Sequence, residues 1–74
     1  MRLTELKSEK SARIVQIHGE NDSAVRLHAL GFLPGRTIRR ENTAPLGDPV
    51  AYEVEGQKIG IRLAEAALME IEIP

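Results

Sequence analysis

The chain has 74 residues, a formal net charge of −1 and a hydrophobic fraction of 42%. This length predicts a single domain over residues 1–74, and a domain so small has a thin margin of stability. The sequence contains no cysteine, which excludes disulfides, iron–sulfur clusters, cysteine zinc sites and thiol nucleophiles, and fits a reducing compartment.

Charge is unevenly distributed along the chain. Residues 1–40 contain eight basic and four acidic side chains, whereas residues 41–74 contain two basic and seven acidic ones. This predicts either a surface with a basic and an acidic side or a charged docking face. The sequence pI near 6.1 argues against a dedicated nucleic-acid-binding protein. No apolar run resembles a signal peptide or reaches the ~20 residues of a membrane-spanning helix, so we expect a cytoplasmic protein.

The first elements are a helical turn and a strand. Residues 3–6 carry two leucines, which predicts one helical turn that places both on the core. The β-branched Ile14, Val15 and Ile17 predict a strand from residue 11 to residue 18. In a regular strand Ile14 and Ile17 would lie on opposite faces, so either a β-bulge intervenes or both faces are partly covered.

Signals at both ends predict a helix over residues 22–30. Asn21-Asp22-Ser23 offers N-cap side chains, and apolar residues then recur at every third position. Gly31 supplies the left-handed residue that ends many helices. Phe32 is then placed to pack back on Leu27, as in a Schellman motif.

The rest of the chain predicts four more strands. Leu33-Pro34-Gly35-Arg36 has Pro and Gly at the central positions of a type II turn. Beyond it, alternation and turn signals predict strands over 37–41, 50–54, 58–61 and 69–73. They also predict a loop over 44–49, a turn at Glu55-Gly56 and a helical turn over 63–67. Five strands with one helix predict a mainly β protein folded as a small antiparallel barrel.

Two groups of side chains are candidates for function. Leu30, Phe32 and Leu33 surround the helix stop, where they either cap an open barrel end or form a protein-docking patch. His18, Glu20 and Asp22 either are solvated surface residues or supply the nitrogen and oxygen ligands that Fe(II) or Zn(II) accepts.

Catalytic motifs are missing from the sequence. It has no glycine-rich phosphate loop and no serine in a nucleophile elbow. We therefore expect no enzymatic activity.

Three segments carry a specific pattern. Residues 27–35, 44–50 and 60–66 read LHALGFLPG, APLGDPV and GIRLAEA. Together they resemble the FeoA family of bacterial ferrous-iron transport proteins. The chain departs from that family near its start, where Ser8-Glu9-Lys10 stands in place of a glycine-containing turn.

The resemblance implies an SH3-like barrel and a regulatory accessory of FeoB, a membrane transporter with a GTP-binding domain. It implies docking on the transporter's cytosolic region, contact with the membrane only through that partner, and no nucleic acid. The candidate partner-binding residues are Leu30, Phe32, Leu33, Pro34, Leu46 and Asp48. An arginine finger would be one route to an effect on GTP hydrolysis, for which Arg26, Arg36, Arg39 and Arg62 are available. The alternative is a module that binds or senses Fe(II) or another divalent transition metal, with oligomerisation through the metal.

Overall fold

A computed structural model describes residues 1–41 and 47–74. The elements follow one another as a 3-10 turn (Leu3–Glu5), β1 (Ser11–Ile17), α1 (Asp22–Ala29), β2 (Thr37–Arg40), β3 (Val50–Val54), β4 (Gln57–Ile61), α2 (Leu63–Ala66) and β5 (Met69–Glu72). The predicted five strands, the main helix and both short helical segments are therefore confirmed. The predicted strands over 37–41 and 69–73 each end one residue earlier, and the predicted loop over 44–49 lies partly outside the described residues.

The five strands form one antiparallel sheet in the order β4-β3-β2-β1-β5. β1 is flanked by β2 through pairs such as Ala12↔Ile38, and by β5 through pairs such as Ile14↔Ile71. The first residues of the chain extend this arrangement, because the Ile71 N–H donates to the carbonyl of Met1 at 2.8 Å. The sheet thus joins segments from both ends of the sequence.

A β-bulge resolves the irregular pattern of β1. The register with β5 shifts between Ile14 and Gln16, so Val15 is the extra residue. Ile14 and Ile17 are consequently both buried, whereas Val15 is 36% exposed. Of the two explanations for this strand, the bulge is confirmed.

Side-chain and backbone caps fix the ends of α1. The Asn21 side chain accepts the Ala24 N–H at 3.0 Å and satisfies one free donor of the first turn. At the other end the Gly31 N–H donates to His28 O, and the Phe32 N–H donates to Leu27 O. These two bonds, with φ of +102° at Gly31, are the predicted Schellman motif.

The core is built almost entirely from aliphatic side chains, as the composition requires. Its largest fully buried members come from all five strands, from the 3-10 turn, from α1 and from the residue after Gly31. They are Leu3, Ile14, Leu27, Phe32, Ile38, Val50, Tyr52, Val54, Ile61, Met69 and Ile71. Within the described residues no polar or charged residue is buried. At the level of single atoms, the hydroxyl of Tyr52 is buried and has no hydrogen-bond partner in the described part of the chain.

Two positive-φ turns lead into strands, one between α1 and β2 and the other between β3 and β4. Gly35 has φ of +91°, and the Arg36 N–H donates to Leu33 O at 3.1 Å, as expected of the predicted type II turn. Glu55 and Gly56 both have positive φ and join β3 to β4 as a tight hairpin.

Candidate functional site

The segment from Leu33 to Gly35, the Leu33–Gly35 turn, is an exposed turn that is hydrogen-bonded to β1. The Leu33 N–H donates to Gly31 O at 2.9 Å, and the Gly35 N–H donates to Ile14 O at 2.7 Å. Leu33 is 36% exposed and Pro34 is also exposed. An apolar pair is thus presented to solvent on a backbone held at both ends.

Phe32 does not belong to that exposed pair. Its side chain has no exposed area, because the Schellman motif folds the residue after Gly31 back over the helix and into the core. The prediction that Phe32 contacts a partner is therefore wrong in this structure. Leu30 is intermediate, since it is partly buried and packs against the core cluster.

The Arg36 side chain makes two contacts next to the Leu33–Gly35 turn. Its Nη1 donates to Gly31 O at 3.0 Å, and its Nε lies 3.4 Å from Glu55 Oε1. One side chain thereby links the helix stop to the β3–β4 hairpin. This contact adds to the rigidity of the Leu33–Gly35 turn.

The other two candidate docking residues lie before β3. Asp48 is exposed, and its Oδ1 accepts the Leu63 N–H at 3.1 Å, which ties this segment to the start of α2. Leu63 is itself 43% exposed. Leu46 lies outside the described residues.

The structure does not assemble the predicted metal ligands. His18 Nε2 lies 2.8 Å from Glu70 Oε1, and Glu20 and Asp22 are exposed. Among residues 1–41 and 47–74, no three His, Asp or Glu side chains are grouped to hold a metal ion. The physical reason is that the chain leaves β1 after Ile17, so the strand alternation expected of His18 and Glu20 ends.

The His18–Glu70 pair is a feature that sequence reasoning missed. The hydrogen bond from His18 holds the pKa of Glu70 below its ordinary value of 4.5, and the positive charges of Arg2 and of the chain's amino terminus add to the effect. Both side chains remain accessible, with 36% and 40% of their area exposed. No local pattern signals a pair of residues 52 positions apart.

The structure also distinguishes the four available arginines. Arg26 pairs with Glu65, Arg36 with Glu55 and Arg39 with Glu41. In the described part of the chain, the guanidinium of Arg62 has no such carboxylate partner. It lines an open groove of about 440 Å³ together with Arg26, Pro49 and Gly60.

None of the helices in the described residues is both long and apolar enough to cross a membrane.

Comparison with known proteins identifies relatives across the whole chain. The family model described as "FeoA domain" matches residues 1–73. A relative from Porphyromonas gingivalis, a fusion of Fe(2+) transport protein A with the Fe(2+) transporter FeoB, is 37% identical over 73 residues. That match covers 99% of this chain but 9% of the relative, so the chain spans only a small part of the fusion protein.

Comparison with solved structures also identifies relatives across nearly the whole chain. The solution structure of iron(II) transport protein A from Clostridium thermocellum is 34% identical with a TM-score of 0.91, and the match covers 99% of this chain and 45% of that one. The crystal structure of Stenotrophomonas maltophilia FeoA complexed with zinc, described as a prokaryotic SH3 domain protein, is 29% identical with a TM-score of 0.86. Here the match covers 97% of this chain and 89% of that one.

These comparisons confirm the SH3-like fold that the resemblance to the FeoA family implied. The family match extends over nearly every residue, and it includes the Schellman motif, the Leu33–Gly35 turn and β5. The chain belongs to the FeoA domain family.

Proposed function

We propose that this chain acts as a single cytoplasmic domain that regulates ferrous iron uptake by binding the cytosolic region of a FeoB-type transporter, without catalysing a reaction. The observation that carries the proposal is the P. gingivalis relative, in which a segment similar to this chain and FeoB form one polypeptide. Covalent linkage holds two partners at high effective concentration, so a fusion favours partners that also associate as separate chains.

The Leu33–Gly35 turn is the first candidate for the contact. Leu33 is exposed beside Pro34 on a backbone that β1 and Arg36 hold in place. Full burial of an exposed leucine contributes about 1.5–3 kcal/mol, and a partner that covers the exposed 36% of Leu33 gains roughly 0.5–1 kcal/mol of this. Because the turn is already ordered, little of that free energy is lost to ordering the backbone on binding.

Substitution of Leu33 by Glu tests this contact. We expect Leu33→Glu to remain folded and to bind the cytosolic region of the cognate transporter about tenfold or more weakly, as measured by isothermal titration calorimetry. Val25→Glu is the matched control, because Val25 is 62% exposed on α1 and the substitution introduces the same charge.

Three results would contradict parts of the proposal. Absence of binding by the wild-type chain would refute the function itself. Equal binding by Leu33→Glu and wild type would place the contact elsewhere, with the segment of Leu46 and Asp48 as the next candidate. A thermal melt showing that Leu33→Glu is unfolded would assign Leu33 to the core, and Leu33→Ser would then replace it in the titration.

The second candidate function is binding or sensing of Fe(II) or another divalent transition metal. The observation that favours it is the zinc complex of the S. maltophilia relative, together with the accessible His18–Glu70 pair in this chain. Imidazole nitrogen and carboxylate oxygen both suit Zn(II) and Fe(II). Titration with each metal, followed by small-angle scattering to measure oligomer size, separates this function from transporter binding. Loss of metal affinity in His18→Ala would locate the site at this pair.

A further inference from the structure

A second apolar surface lies where residues from the two ends of the sequence meet. We call it the terminal groove, an open groove of about 230 Å³ between the 3-10 turn and the end of β5. Leu6 lies at its base and is 2% exposed, whereas Met1 and Ile73 line it with 53% and 58% of their area exposed. Two large apolar side chains are therefore exposed to solvent beside a groove that is large enough to hold one further apolar side chain.

Hydrogen bonds to backbone carbonyl groups hold the walls of the terminal groove in place. The Ile71 N–H donates to Met1 O at 2.8 Å, which holds the first residue against β5. The Leu6 N–H donates to Leu3 O at 3.1 Å, and Arg40 Nη1 donates to Leu6 O at 2.6 Å. A groove preformed in this way needs little rearrangement to receive a ligand.

The rim of the terminal groove is positively charged. Lys7 and Lys10 line it and are exposed, and neither ammonium group forms an ion pair with any carboxylate of residues 1–41 or 47–74. Glu5 also lines the groove, and its carboxylate keeps its negative charge although Oε2 accepts the Arg2 N–H at 3.1 Å. With two ammonium groups against one carboxylate, the rim carries a net positive charge.

We propose that the terminal groove binds an apolar side chain carried by an acidic segment of the transporter's cytosolic region. This inference rests on the proposed function and adds to it a second contact surface and the chemistry of its partner. An apolar centre with a charged rim is the usual anatomy of a protein–protein contact, and two free lysines select a segment with Asp or Glu beside its apolar residue.

A second copy of this chain fits the groove less well. Most carboxylates of its acidic half are already paired with basic side chains of the same chain, and those so engaged are Glu41, Glu55, Glu65, Glu70 and Glu72. A copy that docked its acidic side on Lys7 and Lys10 would have to exchange these pairs. A partner with unpaired carboxylates has no such requirement.

The test measures binding of the transporter's cytosolic region to variants of this chain by isothermal titration calorimetry. We expect Lys7→Glu, Lys10→Glu and Ile73→Glu each to weaken binding about tenfold. The matched controls are Lys58→Glu, a lysine with 70% of its side chain exposed on β4, and Val25→Glu on α1. Both controls should bind like the wild type.

Salt dependence provides an independent readout. Binding by the wild-type chain should weaken as the salt concentration rises, and Lys7→Glu should reduce that dependence because one cationic contact is lost. Lys7 and Lys10 are exposed, so these two variants keep the experiment informative if a thermal melt shows that Ile73→Glu is unfolded.

The outcomes separate this inference from the proposed function. If the wild type binds and Leu33→Glu weakens binding while all the groove variants bind normally, the function stands and the inference is refuted. If the wild type does not bind, both are refuted. If sedimentation shows a homodimer that the groove variants dissociate, the occupant is a second copy and the inference is wrong.

Discussion

Replacement of Gly31 by alanine should destabilise the protein through backbone strain and through displacement of the Arg36 side chain. Gly31 has φ of +102°, and an L-residue in this left-handed half of conformational space costs about 1–2 kcal/mol. A Cβ there would lie 3.2 Å from Arg36 Nη1, the end of a flexible side chain that can move away. Movement of Arg36 would weaken its bond to Gly31 O, which is worth about 0.5–1.5 kcal/mol.

Alanine also restricts the unfolded chain, which offsets about 0.4–1 kcal/mol of these losses. The net loss for Gly31→Ala is therefore about 1–2 kcal/mol in the free energy of unfolding. In a domain of this size, each kcal/mol corresponds to about 4–8 °C in melting temperature. Thermal melting followed by circular dichroism should thus show a decrease of roughly 5–15 °C.

Gly35→Ala is the matched control for the Arg36 contact. Gly35 has a similar φ of +91°, but a Cβ built there meets no atom within 4 Å. We expect Gly35→Ala to be destabilised by backbone strain only and therefore by somewhat less than Gly31→Ala. An unchanged melting temperature in Gly31→Ala would refute the reasoning, because it would mean that the helix does not end in the left-handed residue on which the Leu33–Gly35 turn depends.

Three further predictions concern single side chains. Glu9 has φ of +65°, so Glu9→Gly should raise the free energy of unfolding by about 0.5–1 kcal/mol in chemical denaturation. Tyr52→Phe removes a buried hydroxyl without a partner in the described part of the chain, so it should stabilise the protein by about 1 kcal/mol, and a loss would reveal a partner. The pKa of Glu70 is lowered in the folded protein, so its stabilisation is present above its ordinary value of 4.5 and is lost as pH falls through the lowered pKa. The melting temperature of Glu70→Gln should therefore decline less between about pH 5 and pH 3 than that of the wild type. An equal decline in both proteins would contradict stabilisation of the Glu70 carboxylate by His18.

Local signals predicted the fold well. The limits of α1 follow from Asn21 and Gly31, residues whose capping role depends only on their neighbours in sequence. The alternation of β3 is equally local, because burial of Val50, Tyr52 and Val54 requires only that one face of the strand meets the core. Even the departure from the family pattern at Glu9 coincides with a positive φ, the conformation for which glycine is suited.

The candidate sites were predicted less well, since they depend on contacts distant in sequence. The capping pattern around Gly31 predicts that Phe32 packs back on the helix, and the burial of Phe32 agrees with this local pattern rather than with an exposed patch. The His18–Glu70 pair and the terminal groove could not be predicted. Each joins residues near the two ends of the chain, and their proximity depends on the register between β1 and β5, which the bulge at Val15 shifts.

The position of β5 in the sheet has a consequence for synthesis of the protein on the ribosome. β1 lies inside the sheet, yet one of its two neighbours follows it by more than fifty residues, with Arg13 opposite Glu72. Until Met69–Glu72 has left the exit tunnel, one edge of β1 stays open and offers unpaired backbone groups to other nascent chains. Completion of the sheet must therefore wait until nearly all of the described residues have been translated, and any chain that stops before β5 carries an exposed, aggregation-prone strand edge.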